Sequence, residues 1–144
     1  MLETVGDIWE CAGRGDIIVI TTNGSLTRDG RAIFGRGVAR QAALRFPAIT
    51  EILGKLIAEQ GNHVFDLGCG IVTFPVEDTP WSLPDPGLIA RSAGELRQLT
   101  DCSGWQRIVV PRPGCGGGGL AWNYVQPLLA PWFDDRFVVI SQPL

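Results

Sequence analysis

Histidine and lysine are nearly missing from this chain, which has only His63 and Lys55 in 144 residues. One histidine, with Cys11, Cys69, Cys102 and Cys115 forming no CxxC pair, offers no recognisable zinc-ligand spacing. The thiols therefore read as scattered reduced cysteines of a cytoplasmic protein, and neither a metal nor a cofactor is expected. No Lys/Arg cluster is present and the net charge is −3. That balance argues against nucleic-acid binding through a basic patch, which relies on phosphate neutralisation. No apolar run approaches the roughly 20 residues of a membrane span, and Met1–Glu10 lacks the apolar core of a signal peptide. No membrane partner is expected.

Hydrophobic residues make up 45% of the chain and charged residues 19%, the composition of an ordinary globular protein. A chain of this size can bury about two-thirds of its unfolded surface. No repeat or linker interrupts it, so residues 1–144 are expected to form one domain. The five tryptophans are expected mostly in the core.

Strand-like and helix-like periodicities alternate along the chain. Thr4–Trp9 reads as a short first strand, and Asp16–Thr22 as a buried central one because it is apolar and β-branched. Asn23–Arg36 is a polar, glycine-containing loop. Helical spacing covers Gly37–Phe46. It resumes beyond Pro47, with Ile49, Ile52, Leu53, Leu56 and Ile57 on one face and Gly61 as a C-terminal stop. His63–Asp66 and Gly70–Pro75 read as strands. Asp85–Pro86 has the signature of a helix start, and Leu88, Ile89, Ser92, Leu96 and Leu99 continue at helical spacing. Arg107–Val110 is a strand, Trp122–Leu129 a helix carrying an awkward Pro127, and Phe137–Ser141 the last strand. Alternation of this kind implies a layered α/β domain, with ligands where strands end and helices begin.

Two glycine loops fall at such points. Gly114-Cys115-Gly116-Gly117-Gly118-Gly119 contains GxGxxG between a strand and a helix. A dinucleotide-binding reading fails, because the acids about 20 residues on, Asp134 and Asp135, precede the next strand instead of ending it. The physical content remains. Five glycines in six residues let the backbone wrap a ligand closely and aim N–H groups at an anion. A helix N-terminus behind them adds partial positive charge. Phe34-Gly35-Arg36-Gly37-Val38-Ala39 also opens a helix. One diphosphate held between the two loops, mainly by backbone N–H groups, explains both.

Four segments together resemble a macro domain: Gly6-Asp7-Ile8, Ile17–Asn23, Gly35-Arg36-Gly37-Val38-Ala39, and Pro111-Arg112-Pro113-Gly114-Cys115-Gly116 continuing through Gly119-Leu120 to Trp122. The last pattern resembles the branch containing the terminal ADP-ribose–glutamate hydrolases and the DNA-ADP-ribose hydrolase antitoxins. The resemblance implies a three-layer α/β/α fold with a mixed central sheet, and ADP-ribose or an ADP-ribosylated macromolecule as partner. It implies that Asp7 accepts from the adenine amino group beside the Ile8 backbone, and that Asn23 sits by the distal ribose. Gly35, Gly37, Val38 and Ala39 would line one side of the diphosphate. Pro113, Gly114, Cys115, Gly116, Gly117, Gly118, Gly119 and Leu120 would line the other, with Cys115 a small buried thiol.

The hydrolases of that branch resemble one another in two further groups: a nucleophilic Lys near the end of the strand matching Ile71–Pro75, and an Asp two residues after Gly-Cys-Gly. Here the strand end reads Thr73-Phe74-Pro75-Val76-Glu77, and the second position is Gly118. The first expectation is therefore a binder without that chemistry. A hydrolase using another acid is the alternative, with Asp29, Glu77 and Asp78 as candidates and Asp85 behind them. Trp81 is a candidate cover for a ribose or adenine face. A protein-interaction domain without ligand is the third reading.

Overall fold

A computed structural model of the chain describes residues 1–117 and 119–143. Strand β1 spans Leu2–Val5 and helix α1 Ile8–Gly13; β2 spans Ile17–Thr22, followed by α2 (Gly37–Arg45) and α3 (Ile49–Gln60). Then come β3 (Ile71–Pro75), α4 (Pro86–Ser103), β4 (Ile108–Pro111), α5 (Trp122–Leu129) and β5 (Phe137–Ser141). The strands lie in the order β1-β5-β4-β2-β3.

Alternation along each strand builds two cores. Ile18 and Ile20 of β2, Val109 of β4, and Val138 and Ile140 of β5 face the helices α1, α2 and α3. Val19, Ile108, Val110, Phe137 and Val139 point the other way, onto α4 and α5. A sheet apolar on both faces must be covered on both, so three α/β/α layers result. Each large aliphatic or aromatic side chain sealed there contributes about 1.5–3 kcal/mol.

All four ladders between named strands are parallel. The expected mixed character is confined to the margins, where Asp66 bridges Val72 and Leu26 bridges Ala32 in antiparallel fashion. The reason is connectivity: every strand reaches the next through at least one helix, which returns the chain to the same end of the sheet. The expected strand at His63–Asp66 is not a named strand. It is a strap over the β3 edge, where the Thr73 N–H donates to the Phe65 carbonyl at 2.9 Å and the Phe65 N–H to Thr73 Oγ1 at 2.8 Å.

The expected first strand at Thr4–Trp9 is also corrected. It starts and ends earlier, because Asp7 breaks it by capping α1: Oδ1 accepts from the Trp9 N–H at 2.8 Å. At α4 the expected cap is present, with Asp85 Oδ1 accepting from the Gly87 N–H at 2.9 Å. Helix α5 runs from Trp122 through Pro127 to Leu129. None of the tryptophans is fully buried; Trp9, Trp105 and Trp122 pack at the core margins and Trp81 is 80% exposed. The aliphatic side chains of the parallel strands already fill the interior, which leaves the bulky indoles at its rim.

Candidate functional site

The strand order decides where the glycine loops meet. From β2 the chain crosses to β3 on one side, while from β4 it crosses to β5 on the other. The loops leaving the C-terminal ends of these neighbouring strands diverge, and a crevice opens between them. A cavity of about 750 Å³ occupies that crevice. Its floor is made by the strand ends Thr21–Thr22, Pro111 and Ile140–Ser141. One wall is Gly35–Ala39, and the facing wall is Gly114–Gly117 with Leu120 and Trp122. A second cavity, of about 530 Å³, adjoins the first across Val38, Pro111, Ile140, Ser141 and Gln142 and ends on Asp7, Ile8 and Trp9.

The first wall is the N-terminus of α2. The opening N–H groups of a helix, here those of Gly37, Val38 and Ala39, have no acceptor within it. They carry the positive end of the helix dipole into the cavity. Gly37 has φ +64, the left-handed region that side chains other than glycine adopt at a cost. The loop before it is pinned to α3. The Ala32 N–H donates to the Thr50 carbonyl at 2.9 Å, and a Cβ on Gly54 would lie 2.1 Å from the Gly30 carbonyl oxygen. Glycine at 54 is what allows this close approach.

The second wall uses part of its own hydrogen-bonding capacity. Cys115, Gly119 and Leu120 donate their N–H groups to the carbonyls of Arg112, Gly116 and Gly114, at 3.3, 3.3 and 3.0 Å. Among the described residues, the amides of Gly116 and Gly117 carry no such internal bond. Pro113 is buried and Gly119 is exposed, and neither lines the cavity. Gly118 lies outside the described residues. The Cys115 Sγ sits 3.5 Å from the Pro113 carbonyl. Burial pushes its thiol up against the opposing pull of Arg112, so it stays protonated at neutral pH and is a poor nucleophile.

Asn23 is buried at the end of β2 and its side chain serves its own loop. Nδ2 donates to the Ile33 carbonyl at 2.9 Å, and Oδ1 accepts from the Ser25 N–H at 3.0 Å. It still lines the cavity. Of the four candidate acids, Glu77 alone lines it among the described residues. Burial raises its carboxyl above the usual glutamate range, and the Arg36 guanidinium opposes that shift. Asp29 is exposed, hydrogen-bonded by Thr27 and paired with Arg31 at 3.4 Å; the Thr27 bond lowers its pKa. Asp78 is exposed and its Oδ1 meets the Asn62 amide at 3.5 Å, while Asp85 is occupied as a cap. Trp81 is absent from the lining.

Several lining residues carried no assigned role in the sequence reading. Arg36 and Arg112 sit inside the quoted motifs yet read there only as loop residues. Arg112 stacks over Trp122 at 4.9 Å, and Trp122 Nε1 donates to Glu3 at 2.8 Å. At the Asp7 end, Arg45 lies 4.4 Å over the Trp9 ring, whose Nε1 donates to Gln41 Oε1 at 2.7 Å. Ser141 and Gln142 arrive only because β5 inserts between β1 and β4, which no local pattern foretells. Among the described residues no group of three or more His, Cys, Asp or Glu could hold a metal ion, and no helix is long and apolar enough to cross a membrane.

No protein-family model matches the chain, and no curated protein matches it in sequence. Solved structures do match. The macrodomain of Thermus aquaticus DarG superposes with a TM-score of 0.80 at 22% identity, covering 99% of both chains. The macrodomain of Mycobacterium tuberculosis DarG gives 0.79 at 23% identity, over 99% of this chain and 98% of that one. Thermosipho africanus DarTG, solved in complex with ADP-ribose, gives 0.76 at 17% identity; all of this chain aligns, over 42% of that one. The fold is that of a macrodomain.

Proposed function

We propose that this chain binds ADP-ribose, free or joined to a macromolecule. The observation that carries this reading is the facing of the two glycine loops across one cavity. A diphosphate fits between the α2 N-terminus and the Gly116–Gly117 amides, because both present N–H groups to an anion. The volume falls within the roughly 300–1,000 Å³ of small-molecule sites. In this reading the adenosine lies along the adjoining cavity. Asp7 keeps one oxygen on the Trp9 amide and turns the other to the adenine amino group beside Ile8. The distal ribose lies toward Asn23 and Glu77. Gly35, Gly114 and Leu120 shape the walls, and the buried Pro113 supports the second loop. A structure of the same fold that carries ADP-ribose supports the choice of ligand.

Calorimetric titration with ADP-ribose, ADP, NAD and AMP tests the reading. ADP-ribose is expected to bind tightest, at micromolar affinity, about 8 kcal/mol. Absence of both heat and thermal shift with ADP-ribose would refute it.

A second reading, hydrolysis of the bond to the distal ribose, is favoured by one observation: Glu77 is an acid lining the cavity whose carboxyl burial pushes above the usual glutamate range. Water would add its oxygen to the ribose carbon as the bond to the departing group breaks; that group takes the Glu77 proton, and the proton the water loses returns to the Glu77 carboxylate. A panel of ADP-ribosylated protein, ADP-ribosylated nucleic acid and O-acetyl-ADP-ribose decides it. Turnover lost in Glu77→Gln with binding kept supports it; no turnover by the unaltered protein removes it.

A further inference from the structure

The Arg36 side chain crosses from one glycine loop to the other. A Cβ built on Gly117 would lie 3.2 Å from Arg36 Cζ and 3.3 Å from its Nε and Nη1. The guanidinium thus rests against the bare backbone of Gly117, in space that any other residue there would contest. Arg36 also lines the cavity, at the residue that precedes the first turn of α2. Among the described residues no carboxylate forms an ion pair with it, although its charge reaches Glu77. Arg112, the other arginine of the lining, differs: it is stacked on Trp122 and near Glu3 at 3.8 Å.

We propose that Arg36 is a strap over the diphosphate: it reaches from the first loop to the second and closes the cleft by donating two N–H groups to phosphate oxygens. A guanidinium suits that task because its donors lie in one rigid plane and match phosphate geometry, as an ammonium does not. The chain is net acidic, Arg112 is held by Trp122 and Glu3, and the cradles are otherwise backbone, so Arg36 supplies the charge contrast that amides alone lack. Gly117 serves the strap as much as the ligand, since its missing Cβ is the seat of the guanidinium. The inference rests on the ADP-ribose reading for its ligand but concerns a side chain that the backbone-cradle argument does not need.

Titration of the intact chain and of Arg36→Gln and Arg36→Lys with ADP-ribose, ADP and adenosine tests it. Charge-assisted hydrogen bonds of this kind predict ADP-ribose and ADP binding about 10- to 100-fold weaker in Arg36→Gln. Arg36→Lys falls between, adenosine affinity is unchanged, and melting temperature hardly moves because the side chain is exposed. The dependence of log K on log salt also flattens in Arg36→Gln. If Arg36→Gln binds ADP-ribose within twofold of the unaltered chain, the strap is refuted and the proposed function stands. Equal losses for adenosine and ADP-ribose make Arg36 a structural residue and also refute the strap. If the unaltered chain ignores ADP-ribose but binds ADP in an Arg36-dependent way, the proposed function fails and the strap stands. No binding of either by the unaltered chain overturns both.

Discussion

Gly116 separates binding from folding more cleanly than any other described position in the second loop. A Cβ added there meets nothing within 4 Å, and its φ lies outside the left-handed region, so a side chain costs the fold little. Gly114 is the contrast. Its φ is +72, and a Cβ would crowd Leu120 at 3.0 Å, Pro84 at 3.1 Å and Ile89 at 3.2 Å. Gly114→Ala therefore destabilises by about 1–2 kcal/mol for the left-handed backbone alone, before any repacking. Gly116→Ala leaves the melting temperature where it was.

Gly116→Glu places a carboxylate in the cavity lining, beside an amide that the proposed function assigns to a phosphate. At about 5 Å from one phosphate and an effective dielectric of about 20, the repulsion is about 3 kcal/mol. The position is exposed and salt screens it, so about half of that survives at physiological ionic strength. ADP-ribose affinity should fall about 10- to 100-fold, most steeply at low salt. Gly116→Lys is the decisive partner, equal in bulk and opposite in sign, and it should bind as well as Gly116→Ala or better. Calorimetry at low and high salt reads the affinities, and melting curves of the free variants read their stability. Equal losses for Glu and Lys would show that bulk and not charge is at stake. Unchanged affinity for both would show that no anion sits against this loop.

Gly54→Ala should destabilise severely, by about 1–3 kcal/mol or more, because its Cβ would collide with the backbone at Gly30 and Ala32; chemical denaturation measures this, and a wild-type midpoint would contradict the packing. Glu77 is held above the usual glutamate range by burial, against the pull of Arg36. The folded chain therefore keeps a proton that the unfolded chain has lost, and stability falls as pH rises from the ordinary glutamate value through the raised one. Glu77→Gln should flatten the melting-temperature profile over that window, and superimposable profiles would rule the effect out. Arg136 binds Asp134 through both carboxylate oxygens and holds it down at about 2. That contribution is complete at neutral pH and disappears as pH falls from the ordinary aspartate value through about 2. Arg136→Ala should move the Asp134 carboxyl titration, followed by NMR, back toward the ordinary value, and no movement would count against the pairing.

The sequence conveyed local chemistry well and spatial order poorly. Asp16–Thr22 and Phe137–Ser141 were legible because β-branched and aromatic runs are buried on both faces of a parallel sheet. The start of α4 was legible because Asp85 and Pro86 satisfy and pre-set its first turn. Helix α1 escaped notice because its six residues complete too few turns to show a period, and the acid that caps it reads equally as a turn residue. The His63–Asp66 strap escaped because an apolar pair at a sheet edge looks like a strand until its partner is known. The site divides along the same line. Each glycine loop announces that backbone will approach something closely, yet neither says what stands opposite. They face each other only because β4 lies beside β2 while their crossovers depart in opposite directions, a pairing between residues 91 apart at Ile17 and Ile108. Arg36 shows the consequence most directly. In the sequence it is one polar residue between two glycines, and it becomes a candidate ligand only when the non-local ladder brings Gly117 beneath its guanidinium.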